Sequence, residues 1–316
     1  MHTSIHDLEK RIAELKREIP TRGLERHISV LRSISELPTE LQSPVVTRLA
    51  DNEAIHSIIA FPPQIQRGRH YVPKQALLFT PTDLIHLRAS VWPGQEPDVT
   101  CLRACGLLYM QVKLLLLYGF LEVVAQGQGL PTHLGMEFNT VAWYRLSQPL
   151  RQLLRATRPD RGLPGEEPAD FSELQGAVEK LPLKFSNGIE LYGLLPGEEL
   201  EELFFQAATW KRQLHFFRRQ VTPNTLILLT GNYVVMIREE LNVAQGWIIT
   251  YIPRGSIAGM QNQPAGPWNE LTVQLKRADQ SAVYRLLLKS EAVEGWRTRW
   301  IRHGGQWQDL QGEPQH

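Results

Sequence analysis

Residues 76–88 read ALLFTPTDLIHLR and residues 226–238 read LILLTGNYVVMIR; the two stretches align without a gap at an offset of 150. Leu77-Leu78 falls on Ile227-Leu228, Thr80 on Thr230, Leu84-Ile85 on Val234-Val235 and Arg88 on Arg238. Each copy is an apolar strand, a three-residue turn after Thr, and a second apolar strand. Short apolar runs around Pro, Gly, Asn or Asp read as strands joined by a turn. Self-similarity at a long fixed offset bears on the whole architecture, so it is weighed before any single motif.

Working outward, Asn52-Glu53-Ala54-Ile55 resembles Gly197-Glu198-Glu199-Leu200. Each opens a strand that ends at basic residues, Arg67 and Arg69 in the first copy and Lys211 and Arg212 in the second. Downstream, Tyr109 in LLYMQV is matched with Tyr251 in ITYIPR. A strand ending at Phe138 matches one ending at Leu288, and an amphipathic helix follows each. Trp143, Leu146, Leu150, Leu153 and Leu154 form the apolar stripe of the first helix. Pro149 either kinks that helix or lies in the first turn of one starting at Ser147. In the second, Ser290 is the expected cap, Glu291 lies in the first turn, and Val293, Trp296 and Trp300 form the stripe.

The expected fold class is therefore α+β. It comprises two bent antiparallel sheets, each a partly open barrel closed by a C-terminal amphipathic helix, after an N-terminal helical segment. The order of elements, with L-[LI]-x-T-turn-[LV]-[IV]-x-[LI]-R at its centre, resembles the bacterial pleckstrin-homology-like superfamily, with GRAM domains as a related alternative. The resemblance covers about residues 53–156 and 198–303. It implies a binding or scaffolding module, since members of that superfamily bind lipids, peptides or partner proteins and seldom catalyse reactions.

The expected domains are N-terminal helices at 1–50, a first pleckstrin-homology-like domain at 51–158 and a second at 198–305, with a polar tail at 306–316. Between the two domains, 159–197 reads as an acidic Pro/Gly linker, with a short helix capped by Asp170 and a hairpin turning at Ser186-Asn187-Gly188. Cutting at about Arg161 is expected to give two halves that fold separately. At the N-terminus, Ile5, Leu8, Ile12, Leu15 and Ile19 recur at three- and four-residue steps, an a/d seam on a helix over 4–19. Two heptads suit either docking on the protein itself or self-association into a homo-oligomer. A second helix is expected from Leu24 to Leu37 and a third after Pro38-Thr39.

The formal net charge is +1, from 34 Lys and Arg against 33 Asp and Glu. That balance supplies no global field to draw the chain onto nucleic acid or a membrane. Cys101 and Cys105 have no further Cys or His near enough to complete a zinc site or a disulfide framework, and read as half-buried thiols of a reducing compartment. No signal peptide is read in the first twenty residues, so a cytoplasmic location is expected, with the inner membrane face as the peripheral alternative. Residues 106–125 imitate a membrane span, but Gln111, Lys113 and Glu122 interrupt them and Tyr118-Gly119 reads as a turn.

Metalloprotease, P-loop and nucleophile-elbow motifs do not occur. Gln126-Gly127-Gln128-Gly129 reads as a loop, and the ten histidines are scattered, with His56, His86 and His215 expected on sheet surfaces. No catalytic, metal or cofactor residue is assigned, and a non-enzymatic protein is expected. Two basic loops remain as candidate ligand or partner sites: Arg67, Arg69 and Lys74 in the first copy, and Lys211, Arg212, Arg218 and Arg219 in the second. They read as edge charges that block aggregation, as an anionic-lipid or phospho-ligand site, or as contacts for a protein partner. A protein partner is the favoured expectation, and nucleic acid is disfavoured by the neutral total charge.

Overall fold

The computed structural model describes residues 5–18, 28–48, 54–66, 70–128, 130–157, 172–213, 217–241, 246–265 and 268–309. Its fold is α+β and mostly strand, and among the described residues no sheet closes into a barrel. By compactness the chain divides into two units, residues 1–104 with 142–156, and residues 105–141 with 157–316.

The first unit holds helix α1 (Ile5–Glu18) and a five-stranded antiparallel sheet. Its strands are β1 (Ser29–Leu31), β2 (Ser57–Phe61), β5 (Gln75–Phe79), β6 (Asp83–Arg88) and β7 (Asp98–Arg103), in the order β1-β2-β5-β6-β7. Between β2 and β5, strands β3 (Gln64–Gln66) and β4 (His70–Val72) make a hairpin of their own. Pro62-Pro63 and Pro73 separate it from the sheet, because proline cannot donate to a ladder. Helix α2 (Thr39–Arg48) lays Leu41 and Val45, with Leu37, over Ile58, Ala76, Leu78, Ile85 and Leu87. Helix α3 (Trp143–Ala156) lies against β2 and buries Leu146, Leu150, Leu153 and Leu154. It runs from Trp143 straight through Pro149, so it does not start at Ser147.

One N-terminal expectation changes. Of the helix expected over 24–37, residues 24–27 lie outside the described residues, and the rest forms β1 and one 3-10 turn (Ile34–Glu36). Pairing of Ser29, Val30 and Leu31 with Ala60, Ile59 and Ile58 overrides a helical period of only a few apolar residues. Helix α1 docks by Arg11, whose Nε donates to the Val91 carbonyl at 3.2 Å, while Ile12 and Leu15 are half-buried and Leu8 is exposed.

The second unit is built on a seven-stranded sheet in the order β10-β9-β8-β16-β15-β14-β11. The strands are β8 (Leu107–Leu115), β9 (Tyr118–Ala125), β10 (Thr132–Asn139), β11 (Leu200–Gln206), β14 (Thr225–Thr230), β15 (Tyr233–Arg238) and β16 (Trp247–Pro253). A two-stranded hairpin, β12 (Thr209–Gln213) with β13 (Phe217–Thr222), connects β11 to β14. A four-stranded sheet follows, ordered β19-β18-β17-β20, from β17 (Ile257–Ala265), β18 (Trp268–Arg277), β19 (Gln280–Lys289) and β20 (Trp307–Asp309). Helix α6 (Ser290–Arg302) buries Val293, Trp296 and Trp300 in the core that joins the two sheets. The residue before it, Lys289, is the cap, rather than Ser290.

Strands β14 and β15 are apolar at nearly every position because both faces are covered. Ile227, Leu229, Val234 and Met236 enter the core with Leu271, Val273, Leu286 and Trp296. The opposite face meets a helical segment that follows the single-turn helix α4 (Gln175–Val178): α5 (Leu183–Gly188), continued by a π-helical turn (Ile189–Gly193). There Gly193 lies so close to Leu228 and Ile237 that a Cβ would be 2.6 Å from a Leu228 methyl. This helix stands where a hairpin was expected at Ser186-Asn187-Gly188. Phe185 and Ile189, four apart, are both buried, with the Phe185 ring 5.1 Å from Phe205 and 5.3 Å from Trp247. Helical spacing is what puts both on one side. The expected cap Asp170 lies outside the described residues.

The turn expected at Tyr118-Gly119 falls instead at Leu116-Leu117, where Leu116 has φ +52°. Gly119 serves packing: a Cβ there would be 2.4 Å from the Phe138 ring. Among the described residues no helix is long and apolar enough to cross a membrane.

The offset of 150 recurs in single hydrogen bonds. The Thr80 hydroxyl accepts from the Asp83 amide at 2.9 Å, and the Thr230 hydroxyl from the Tyr233 amide at 3.1 Å. The Ala89 amide donates to the Lys74 carbonyl as that of Glu239 does to Asn224, and Ala104 to Thr82 as Arg254 does to Asn232. All three pairs keep the offset of 150. Strands β2, β5, β6 and β7 pair as β11, β14, β15 and β16 do, and β8, β9 and β10 as β17, β18 and β19 do. Upstream of the hairpins the offset becomes 145, since Phe61 faces Gln75 as Gln206 faces Thr225. The match of Asn52–Ile55 with Gly197–Leu200 fits that register. The match of Tyr109 with Tyr251 does not: Tyr109 is on β8 and Tyr251 on β16, whose counterpart is β7.

Within the second unit the two copies are stitched together. Strand β8, from the first, pairs with β16, from the second, from Trp247↔Leu114 to Tyr251↔Met110. Gln111 Nε2 donates to Thr250 Oγ1 at 3.1 Å and to the Tyr284 hydroxyl at 3.4 Å, and those two hydroxyls lie 3.0 Å apart, all buried. A satisfied buried network of this kind fixes register, because a slip would strand its polar atoms. Gly246 leads into β16 at φ +151°, and a Cβ there would be 2.3 Å from a Leu115 methyl.

Candidate functional site

Among the described residues of the first unit, a concavity of about 770 Å³ forms a groove walled by α1, α2, the β2–β5 region and the loop after β6. Its apolar lining includes Phe61, Pro62, Pro63, Tyr71, Pro73 and Trp92. The proline breaks that detach the β3–β4 hairpin thus also supply one wall. The loop is held by a local turn. Gln95 N–H reaches the Trp92 carbonyl at 3.4 Å, Pro93 sits at the first central position, and Gly94 takes φ +72° at the second. Proline at the first central position and positive φ at the second are the pattern of a type II turn, which requires a residue tolerant of positive φ there. The Ser90 hydroxyl accepts from the Trp92 amide at 3.1 Å and donates to Gln95 Oε1 at 2.9 Å.

The rim is polar. Lys74 Nζ meets Glu40 Oε1 at 2.8 Å, both side chains about 44% exposed. Burial alone would raise the Glu40 carboxyl, but the hydrogen bond from Lys74, a backbone amide and the ammonium charge outweigh it and hold the group below its ordinary value. An exposed pair of this kind is worth about 0–1 kcal/mol. A groove that sets aromatic and proline side chains beside charged and polar groups has the size and chemistry of a ligand or peptide site.

Of the basic residues singled out in the sequence, Arg67 and Arg69 lie outside the described residues. Lys74 is on the groove rim in its pair with Glu40. The other four gather on the β12–β13 hairpin, where the register sets Lys211 opposite Arg219 and Arg212 opposite Arg218. Lys211 and Arg219 are exposed, and so is Trp210, at 59%. Like charges opposite one another in a ladder are unfavourable, so this hairpin holds positive charge at a cost to its own stability.

Other ionisable groups have structural explanations. His86 is buried on β6 rather than on a sheet surface; its Nε2 lies 2.8 Å from Gln75 Oε1. Burial, then the charge of Arg88, lowers its pKa to about 4, with Asp98 opposing. His56 is exposed, and His215 lies outside the described residues. Glu201 and Glu202 on β11 bind Arg254 at 2.8 Å, Arg299 at 3.3 Å and Arg302 at 3.4 Å, which ties the end of α6 to the sheet. Cys101 and Cys105 are both exposed, rather than half-buried, and form no disulfide. Among the described residues no group of three or more His, Cys, Asp or Glu could hold a metal ion.

Compared with protein-family models and with curated proteins, the chain matches none of either.

Sequence reasoning missed the groove. Its signal was the Trp92-Pro93-Gly94-Gln95 quartet, a type II turn that displays a tryptophan beside a proline-broken hairpin.

Proposed function

We propose that this chain is a non-enzymatic tandem module of two pleckstrin-homology-like repeats that binds a protein partner. Support for the repeats comes from their shared element order: four antiparallel strands, a 3-10 turn, three antiparallel strands and a closing helix. The observation that carries the binding assignment is the groove of the first unit, where Trp92, Tyr71 and Phe61 stand among prolines. Aromatic side chains recessed in a concave site supply most of the energy of protein recognition, because they bury large rigid surfaces. An extended segment with apolar side chains is the ligand that fits.

The test is affinity capture from the native host with the parent chain and with a Tyr71→Ala/Trp92→Ala double variant whose folding is verified by circular dichroism. A partner retained by the parent and lost from the folded variant is the expected result. Equal capture by both would overturn the groove as the site.

The β12–β13 hairpin favours a second reading, an anionic lipid or phospho-ligand held by Lys211, Arg212, Arg218 and Arg219. Flotation with anionic vesicles decides it: binding at low salt that fades at moderate salt supports it, and no co-flotation at either salt ends it.

A further inference from the structure

The register of the seven-stranded sheet fixes what meets at one of its ends. From Gln206 it passes through Thr225, Arg238 and Ile248 to Lys113, each facing the next on the neighbouring strand. Beyond that line lie the base of the β12–β13 hairpin on one side and the Leu116-Leu117 turn on the other. Helix α5 reaches the same end, because Lys184 Nζ meets Glu239 Oε1 at 2.8 Å just past β15.

Apolar side chains at this end face solvent. Leu116, Leu117 and Leu183 are 68%, 70% and 75% exposed. Val141 is exposed too, one residue after Thr140, whose amide donates to the Leu117 carbonyl at 3.4 Å, and exposed Trp210 stands next to Lys211 at the hairpin base. Leu116 is also strained. It takes φ +52° at the first central position of a two-residue hairpin turn, where glycine is the usual residue. Strain and exposed leucines both cost the fold stability, so folding does not account for this turn.

These tips leave strands up to six ladder spacings apart, on the order of 30 Å. Each offers one or two apolar side chains, and exposed Lys211 and Arg219 bring cations to the same end. A protein interface gathers its apolar anchors into one packed centre. A bilayer interface accepts separate small insertions and draws cations to anionic headgroups.

We propose that this end of the second unit is a membrane-docking face, with Leu116-Leu117 entering the interface of an anionic bilayer while the β12–β13 hairpin meets its headgroups. This docking rests on the lipid reading of that hairpin and adds an apolar anchor to it. Attraction by charge alone fades with salt, whereas inserted leucines continue to hold.

The test is flotation of the full chain, at low and moderate salt, with vesicles of phosphatidylcholine and phosphatidylglycerol in equal parts. Two variants are compared with the parent, Leu116→Gly/Leu117→Ser and Lys211→Glu/Arg219→Glu. The first puts glycine where the turn favours it, so it should unfold at no lower temperature than the parent, yet bind the vesicles about tenfold or more weakly at both salts. The second should lose the preference for these vesicles over pure phosphatidylcholine. Flotation of the leucine variant equal to that of the parent would overturn the insertion and leave the hairpin reading standing; a captured protein lost from that variant would then assign the tip to a protein partner. No flotation of the parent at either salt would end both.

Discussion

His86 shows how one residue separates two copies of the same strand. Its position in the second copy holds Met236, and that of its partner Gln75 holds Thr225. The imidazole is buried with a pKa of about 4 against an ordinary 6.5. The unfolded chain therefore binds the proton more readily than the folded one between those values. The stability that the neutral ring contributes is complete above about pH 6.5 and is lost as the pH falls toward 4, by up to about 3 kcal/mol. Urea unfolding at pH 7.5 and pH 4.5 should register the loss, and a Gln75→Thr/His86→Met variant, which copies the second repeat, should lack that component. A second test concerns space. Gly119→Ala would press a methyl into the Phe138 ring, with an expected loss of about 1–3 kcal/mol by thermal unfolding. The sequence could not disclose either fact. His86 alternates with apolar residues whichever face it occupies, and Gly119 followed a tyrosine in a plausible turn, while the ring that needs its bare Cα lies nineteen residues away.

At the level of elements, the strands of the repeat were legible because apolar runs, Thr-headed turns and closing helices recur in one order. Helix α6 was readable from Val293, Trp296 and Trp300, and truncation of Trp296 to Ala should cost about 3–5 kcal/mol in an unfolding measurement. Segments whose structure depends on a distant face were not legible. Residues 183–193 became helical to cover β14 and β15, and residues 29–31 became a strand because β2 offered an edge. The partnership of β8 with β16 was equally hidden, since periodicity reports that a strand has a buried face but not which strand lies beside it. The pairing carries its own prediction. Fragments 1–160 and 161–316 expressed apart should be poorly soluble, each exposing an edge of the seven-stranded sheet. Co-expressed, they should co-purify, and Ile249→Pro in β16 should abolish the complex by removing a ladder donor. Two soluble, folded, non-associating fragments would show that the joint is dispensable.

Taken as a whole molecule, the chain keeps its candidate binding features in different copies. The groove belongs to the first repeat, with Trp92 and the proline breaks, and the cationic hairpin to the second, whose strands run longer before turning. By offset Trp92 corresponds to Asn242, and the Lys211–Arg219 pair lies in the stretch where the register of the copies shifts. Loss of partner capture in the Trp92 variant without loss of vesicle flotation, or the reverse in a Lys211/Arg219 variant, would separate the two. The candidate hairpin could be read from its Lys and Arg content. The groove could not, because it is made by residues 11 to 95 converging from α1, β1, a 3-10 turn, α2, β2, β4 and the loop after β6.

Gly246 brings one further consequence. Because the fifth strand of one copy completes the sheet of the next, neither copy is a heritable module in its own right. A recombination event that excised one would leave its neighbour with a raw flank, so the smallest unit that evolution can move intact is the pair. Gly246 stands at that seam, where any side chain would act as a wedge.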